Sequence, residues 1–129
     1  MCIFCQIIAG AAEASFVHQD THCVAFMNLR PINPGEFMVI PRAHIDHFTD
    51  LPDALAAHIM VVAQRLGRHM HATLSPQRVG YVVHGFGIPH AHLNVVPLTH
   101  SNDIISGRHV RFHNKGFDIT LAGQNAPDR

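Results

Sequence analysis

The segment His90-Ala91-His92-Leu93-Asn94-Val95-Val96-Pro97 carries the most informative pattern in the chain, because polar and apolar residues alternate along it. Alternation predicts a strand, in which residues two apart point to the same face of a sheet. His90, His92 and Asn94 are therefore predicted to share one face, and the residues between them to point into the core. Three polar side chains in a row on a sheet face require a partner, which is solvent, a metal ion or a substrate.

Further strands are predicted on either side of that segment. Residues 78–84 also alternate and should pair with residues 90–97 around a turn that contains Gly85 and Gly87. Short β-type segments bounded by turn residues cover 16–20, 22–28 and 36–40, and Pro41 stops the last one. The sequence thus predicts five strands.

One long amphipathic helix is predicted between the third and fourth strands. Asp50 is its expected N-cap, and apolar residues recur every three or four positions at Leu55, Ile59, Val62, Leu66, Met70 and Leu74. His69 and His71 fall inside this helix and are expected to be solvated. The pattern weakens after Thr99, so we expect one α+β domain over residues 1–120 and a frayed tail over 121–129.

Composition limits the classes of function. The chain has 129 residues, 47% hydrophobic and 14% charged, which predicts a compact soluble fold. Nine Lys and Arg balance nine Asp and Glu, so we expect no binding of duplex nucleic acid through its phosphates. We find no basic leader and no run of about 18 apolar residues, so we expect a cytoplasmic protein without a membrane partner.

Three cysteines are present, which cannot all pair with one another. In a reducing compartment Cys2 and Cys5 are expected to be thiols or metal ligands rather than a disulfide. Cys23 lies in an apolar run and is expected to be a small buried hydrophobe.

The sequence resembles the histidine triad (HIT) family over roughly residues 2–97. The family motif alternates three histidines with apolar residues, and His90, His92, Val95 and Val96 match it, with Asn94 in place of the third histidine. One H-x-H pair would mean little in a chain with 13 histidines. However, residues 2–10, 25–31 and 34–44 also resemble family segments in the same order. The resemblance implies a five-stranded antiparallel sheet with helices on one face, and a homodimer.

The resemblance also implies a chemistry. Members transfer or hydrolyse nucleotides at the α-phosphate, and the middle histidine, here His92, attacks phosphorus to form a nucleotidyl-histidine intermediate. Imidazole is suited to this because it is largely uncharged near neutrality and nucleophilic. Its reactive nitrogen is available when the other ring nitrogen donates to a fixed acceptor, commonly a backbone carbonyl. A purine nucleotide derivative, such as a dinucleoside polyphosphate, is the expected small-molecule substrate, and the apolar wall around base and ribose is expected at Ile3, Phe4, Phe26, Met27 and Leu29.

Three positions depart from the family pattern. Asn94 can donate a hydrogen bond to a phosphate oxygen but cannot transfer a proton, which favours acidic leaving groups over amines. His84 stands where many members have an asparagine, so it is either a substitute acid or phosphate contact, or a structural histidine. Asn28 stands where an acidic residue often accepts both ribose hydroxyls, so ribose binding is expected to be weaker or rearranged.

A second set of residues resembles the zinc ligands of some family branches. Cys2 and Cys5, together with His44 and His90, would close a tetrahedral shell around a structural zinc ion. Two other classes of function stay open: a nucleotide-binding module without useful turnover, and a zinc-stabilised interaction protein without nucleotide affinity. Turnover and nucleotide-binding measurements distinguish them.

Overall fold

A computed structural model describes residues 2–104, 110–113 and 116–119. Its main feature is a five-stranded antiparallel sheet in the order β1-β2-β3-β5-β4. The strands are β1 Phe16–Gln19, β2 Cys23–Met27, β3 Phe37–Pro41, β4 Arg78–Val82 and β5 Leu93–Leu98. The predicted α+β class and the five-stranded sheet are confirmed. The last two strands are shorter than predicted, because β4 ends before His84 and β5 begins after His92.

The predicted long helix is α2, Asp53–Leu74, and a shorter helix α1 spans Ile3–Ile8. The expectation that Asp50 caps α2 was wrong, since Asp50 ends a short 3-10 helix, Phe48–Asp50. Pro52 explains the difference: proline disfavours helical geometry in the residue before it, and Leu51 is extended, with ψ 138°. The helix therefore starts only after the proline.

The two faces of the sheet bury different residues. Alternate residues of β2 and β3, including Ala25 and Val39, pack with α2 on one face. Those between them, Val24, Phe26, Met38 and Ile40, pack on the other face with Phe4 and Ile7 of α1. Helices thus lie on both faces, and the expectation of helices on one face alone was wrong. This arrangement carries the N-terminal segment to the face on which His92 lies.

A second, two-stranded antiparallel sheet pairs β6, Val110–His113, with β7, Gly116–Ile119. It was not predicted from the sequence, although Val110 and Phe112, and then Phe117 and Ile119, alternate with polar residues on either side of a segment that contains Asn114 and Gly116. The expected fraying of residues 121–129 concerns a segment outside the described residues. Within the described part of the chain, no helix is long and apolar enough to cross a membrane.

Candidate active site and metal centre

A cavity of about 420 Å³ opens on the α1 face of the sheet. Its wall combines α1, the end of β2, the loop before β5 and the start of β5. Residues predicted for the nucleotide site make up half of it, namely Ile3, Phe4, Phe26, Met27, Asn28, Leu29, His92 and Asn94. The residues that the family resemblance assigned to the nucleotide thus lie together around one cavity.

His92 lies in the cavity wall with one ring nitrogen already engaged. Its Nδ1 donates to the backbone carbonyl of His90 at 2.8 Å, as the resemblance led us to expect. The ring is held edge-on against Phe4, with centroids 5.4 Å apart, and the residue is 6% exposed. Since Nδ1 carries the proton, Nε2 is left as the basic nitrogen of a buried, fixed imidazole.

His90 and His92 precede β5 rather than lying within it, but the predicted alternation persists. Ala91 and Leu93 are buried in the core on the α2 side. His92 and Asn94 both line the cavity on the opposite side. His90 is fully buried and turns toward the N-terminal cysteines. The three polar residues thus point to one side but serve two different sites.

Asn94 is tied to a buried carboxylate that the sequence analysis missed. Its Nδ2 donates to Glu36 Oε2 at 2.7 Å, and Glu36 is only 1% exposed. Asn28 Nδ2 donates to the same oxygen at 2.7 Å, and Ile32 N donates to Oε1 at 2.7 Å. Glu36 follows a Pro-Gly turn and precedes an apolar strand, so nothing in its local pattern distinguished it from a surface residue.

The amides of Asn28 and Asn94 are therefore only partly available to a ligand. One N–H of each is used by Glu36, and Asn28 Oδ1 also accepts from Arg30 N at 3.0 Å. Among the described residues no other hydrogen bond uses the second N–H of either amide or the oxygen of Asn94. The contacts of Asn94 with phosphate and of Asn28 with ribose remain predictions. Each side chain has fewer hydrogen-bonding groups left for a ligand than an asparagine without these contacts.

His84 is not among the residues that line the cavity. Its ring lies against Phe86, with centroids 5.0 Å apart, and Phe86 does line the cavity although 72% of it is exposed. Gly85 and Gly87 on either side of Phe86 have φ of 90° and 94°, which other residues rarely adopt. His84 therefore lies next to the loop residue Phe86, which lines the cavity, but does not line the cavity itself. Its role as an acid or phosphate contact stays a prediction.

Several cavity residues that were not predicted come from loops. They include Glu13, Arg30, Phe86 and Ile88. Arg30 falls in the segment 25–31 that resembles the family, although it was not singled out as a site residue. The other three stand in no motif or periodic pattern, because loop positions are fixed by tertiary packing rather than by local sequence.

The four predicted metal ligands converge at the start of α1. The ligand atoms of Cys2, Cys5, His44 and His90 all lie within 4.8 Å of one another. His44 Nδ1 is 3.2 Å from His90 Nδ1 and 3.2 Å from Cys5 Sγ, and His90 Nδ1 is 3.5 Å from Cys2 Sγ and 3.6 Å from Cys5 Sγ. A tetrahedron with Zn–N and Zn–S bonds of normal length has edges of about 3.3 to 3.8 Å. The donor set and its spacing fit a zinc ion.

The protonation of His90 suits a ligand. Its Nε2 donates to the carbonyl of Pro41 at 2.8 Å, so Nδ1, which faces the other three residues, carries the lone pair. Burial lowers the pKa of His90, which favours the neutral ring that a metal requires. Burial and the neighbouring Cys2 raise the pKa of the Cys5 thiol, so an ion would have to displace its proton.

Comparison with known proteins identifies the family. The HIT domain model matches residues 9–101, and the chain belongs to the HIT family. Members of this family bind nucleotides and are generally nucleotide hydrolases or transferases.

Three relatives illustrate the match. A HIT family protein from Bacillus anthracis is 30% identical, with a TM-score of 0.75 over 79% of this chain and 76% of that one. A Zn-bound histidine triad family protein from Mycobacterium smegmatis is 28% identical, with a TM-score of 0.73 over 82% of this chain and 80% of that one. The bifunctional adenosine 5′-phosphosulfate phosphorylase/adenylylsulfatase of Arabidopsis thaliana is 30% identical over 103 residues, 75% of this chain and 70% of that protein.

Proposed function

We propose that this protein is a nucleotide hydrolase or nucleotidyl transferase that acts on the α-phosphate of a purine nucleotide derivative. The observation that carries the proposal is the hydrogen bond from His92 Nδ1 to the His90 carbonyl, 2.8 Å long, in the wall of a cavity. It leaves Nε2 with a lone pair where a phosphate can enter.

The reaction has two steps. His92 Nε2 attacks the α-phosphorus, an N–P bond forms, and the P–O bond to the leaving group breaks with its electron pair on the leaving oxygen. Water or another acceptor then attacks the same phosphorus, breaks the N–P bond and releases its proton. The apolar residues Ile3, Phe4 and Phe26 hold the base, because flat apolar surfaces match a purine ring.

The leaving group is acidic in this proposal. Asn94 cannot donate a proton in the transition state as histidine can, so the leaving oxygen must be stable as an anion. Phosphoanhydrides meet this requirement, and so does the sulfate of adenosine 5′-phosphosulfate, which is in the name of the Arabidopsis relative. A dinucleoside polyphosphate or a similar mixed anhydride is therefore the proposed substrate class.

We also propose one structural zinc ion held by Cys2, Cys5, His44 and His90. The tetrahedral spacing of the donors supports it, and a relative from Mycobacterium smegmatis is described as Zn-bound. Four protein ligands leave no position for water, so this ion would brace the segment before β5 and take no part in the reaction. His90 would thus hold the ion through its ring Nδ1 and orient His92 through its backbone carbonyl.

Homodimerisation through β4 is part of the proposal. In the described part of the chain β4 lies at one edge of the sheet. Tyr81 in β4 and Val83 directly after it are 38% and 44% exposed. Such an edge is suited to pairing with a second copy. We further propose that the protein acts in the cytoplasm and has no duplex nucleic acid or membrane partner.

The test replaces the nucleophile. His92→Ala should lower turnover of diadenosine polyphosphates and adenosine 5′-phosphosulfate by several orders of magnitude and leave nucleotide affinity within about tenfold. Rapid quench followed by intact mass spectrometry should detect a nucleotidyl adduct on the wild type and none on the variant. His69→Ala, a substitution of an exposed histidine on α2, is the control.

Three results would separate the alternatives. Nucleotide binding without turnover by the wild type would favour a binding module. No nucleotide affinity would favour a zinc-stabilised interaction protein. Substantial turnover by His92→Ala would exclude the covalent histidine.

A further inference from the structure

A second group of potential ligands lies on the other side of the sheet from the cavity. Asp20 follows β1, and its Oδ2 is 2.7 Å from His18 Nε2 of β1 and 2.7 Å from His58 Nε2 of α2. The Sγ of Cys23, the first residue of β2, lies 3.4 Å from the same oxygen. Three elements of the fold thus direct nitrogen and sulfur atoms at one carboxylate oxygen.

Asp20 is rigidly oriented by its other oxygen. Its Oδ1 accepts from the backbone N–H groups of His22 and Cys23, both at 2.8 Å. Burial alone would raise the pKa of Asp20, but the hydrogen bonds from His18, from these two N–H groups and from His58 hold it well below its usual range. The group is a carboxylate with Oδ2 fixed toward the two imidazoles.

The nearby guanidinium of Arg42 contacts Asp20 at an oxygen other than Oδ2. Arg42 Nε donates to the main-chain carbonyl of Asp20 at 2.6 Å, so this contact leaves Oδ2 to His18, His58 and Cys23. The side chains of His18, His58 and Asp20 are 32%, 36% and 25% exposed, which gives an ion a route from solvent.

We propose that His18, Asp20, Cys23 and His58 form a binding site for one divalent transition-metal ion with zinc-like ligand preferences. Two imidazoles, a carboxylate and a thiolate are an accepted ligand set for such ions. The ligand atoms of His18, Asp20 and Cys23 already lie within 4.8 Å of one another. No residue of this site belongs to the Cys2–Cys5 cluster.

His18, Asp20 and Cys23 need little adjustment, whereas His58 must move further toward the ion, because its nitrogen is not part of the group whose ligand atoms lie within 4.8 Å of one another. In a tetrahedral zinc site the oxygen and sulfur ligands are about 3.5 Å apart and the nitrogen and oxygen ligands about 3.3 Å apart. The 3.4 Å between Cys23 Sγ and Asp20 Oδ2 meets the first value. The two 2.7 Å contacts would open by about 0.6 Å, and the half-exposed imidazoles of His18 and His58 are free to make that shift.

Binding of the ion follows a simple proton balance. Each imidazole moves its proton from Nε2 to Nδ1, with no net release. Burial first, and then the charge of Asp20, raises the pKa of Cys23 to about 12, so the free site holds a thiol. The ion replaces this proton, one S–H bond is exchanged for a metal–sulfur bond, and one proton goes to solvent.

The experiment is a Zn²⁺ titration of the full chain after metal removal, with bound zinc measured by mass spectrometry and affinity by calorimetry. The wild type should bind two ions, and His58→Gln and His18→Gln should each bind one fewer or bind the second at least tenfold more weakly. Glutamine retains a donor for Asp20, so the turn is preserved without the ligand. His69→Gln, an exposed histidine on the same helix as His58, should match the wild type.

The two sites are distinguished by a further variant. Cys5→Ser should lose one ion that His58→Gln retains, so failure of the Cys2–Cys5 site leaves this test intact. In Co²⁺-loaded Cys5→Ser, a thiolate charge-transfer band should survive and should disappear on adding Cys23→Ser. Zinc binding by both His18→Gln and His58→Gln with wild-type stoichiometry and affinity would overturn the proposal and leave the cluster as a hydrogen-bonded link only. If one of these variants fails to fold, the other decides.

Discussion

Asn94 of β5 donates from Nδ2 to Oε2 of Glu36, the residue before β3, over 2.7 Å, and both residues are almost fully buried. A carboxylate oxygen only accepts, so the amide nitrogen of Asn94 must face it and the orientation of the amide is fixed. Asn28 donates to the same oxygen. Glu36 is thus a positioning residue for two amides in the wall of the proposed active site.

Replacing Glu36 with glutamine should disturb that orientation. In Glu36→Gln one carboxylate oxygen becomes an NH2 group, which would face either the side-chain N–H groups of Asn28 and Asn94 or the backbone N–H of Ile32. At least one of these donors would lose its acceptor, and a buried donor without a partner costs about 1–3 kcal/mol. We expect kcat to fall by about tenfold or more with a smaller change in KM, and the melting temperature to fall. Steady-state kinetics and thermal unfolding measure both.

The control is Glu13→Gln, since Glu13 also lines the cavity but is not part of the Glu36 hydrogen-bond network given above. Wild-type kcat in Glu36→Gln would contradict the positioning role. Glu36→Asp keeps the charge but shortens the side chain. Recovery of kcat in this variant would separate the effect of charge from that of side-chain length.

The leaving-group preference should follow from Asn94. The wild type should turn over adenosine 5′-phosphosulfate far faster than an adenosine phosphoramidate with an alkylamine leaving group, because the amine needs a proton to depart. Asn94→His should raise the phosphoramidate rate more than the other, since Glu36 can orient the new imidazole. Paired substrate kinetics give the ratio.

His84 is the other candidate for donating a proton to the leaving group. If the loop that contains Phe86 brings the His84 imidazole to the leaving group, His84→Asn will selectively lower the rate with the phosphoramidate. Equal wild-type turnover of both substrates, with neither substitution changing the ratio, would show that protonation of the leaving group depends on neither position.

The cysteine pair leads to a prediction about stability. Cys5→Ser should remove about one zinc ion per chain and lower the melting temperature by several degrees, because a structural metal contributes its binding free energy to folding. Zinc content by mass spectrometry and thermal unfolding test this. Full zinc content in Cys5→Ser, or no zinc in wild type prepared without chelators, would refute the Cys2–Cys5 site.

How far the sequence predicted this site depends on the type of signal. Alternation around His92 and Asn94 indicated which side chains share a face, because a period of two is a local property of extended chain. The Cys2–Cys5 spacing with His44 and His90 indicated the ligand cluster, but through a family resemblance. Both predictions agree with the observed positions of these residues.

The residues that were missed owe their position to tertiary contacts. Glu36 pairs with Asn94, 58 positions away in sequence, and Asp20 meets His58 across 38 positions. No local pattern records such separations. The start of α2 was misplaced for a local reason, since the effect of Pro52 on Leu51 outweighed the capping residue at Asp50.

The stability of the fold should depend on pH through Asp103, which follows β5. Its Oδ2 accepts from the N–H groups of Thr99 and His100 at 2.8 and 3.0 Å and from Asn33 Nδ2 at 3.0 Å. The two backbone hydrogen bonds first, and then Asn33, outweigh burial and hold the pKa of Asp103 well below its usual range. A depressed pKa in the folded state means that the ionised form stabilises the fold.

The sign of the pH dependence follows from this. The stabilisation is fully present above the unfolded pKa of about 3.9 and is lost as pH falls from there toward the lower folded value. Asp103→Asn should therefore lower the free energy of unfolding by about 1–3 kcal/mol at pH 7, and the difference from wild type should shrink as the pH falls below about 4. Urea unfolding at a series of pH values measures it. Asp50→Asn, at an exposed carboxyl, should show no such effect, and a constant difference between Asp103→Asn and wild type from pH 7 to pH 2.5 would contradict the assignment.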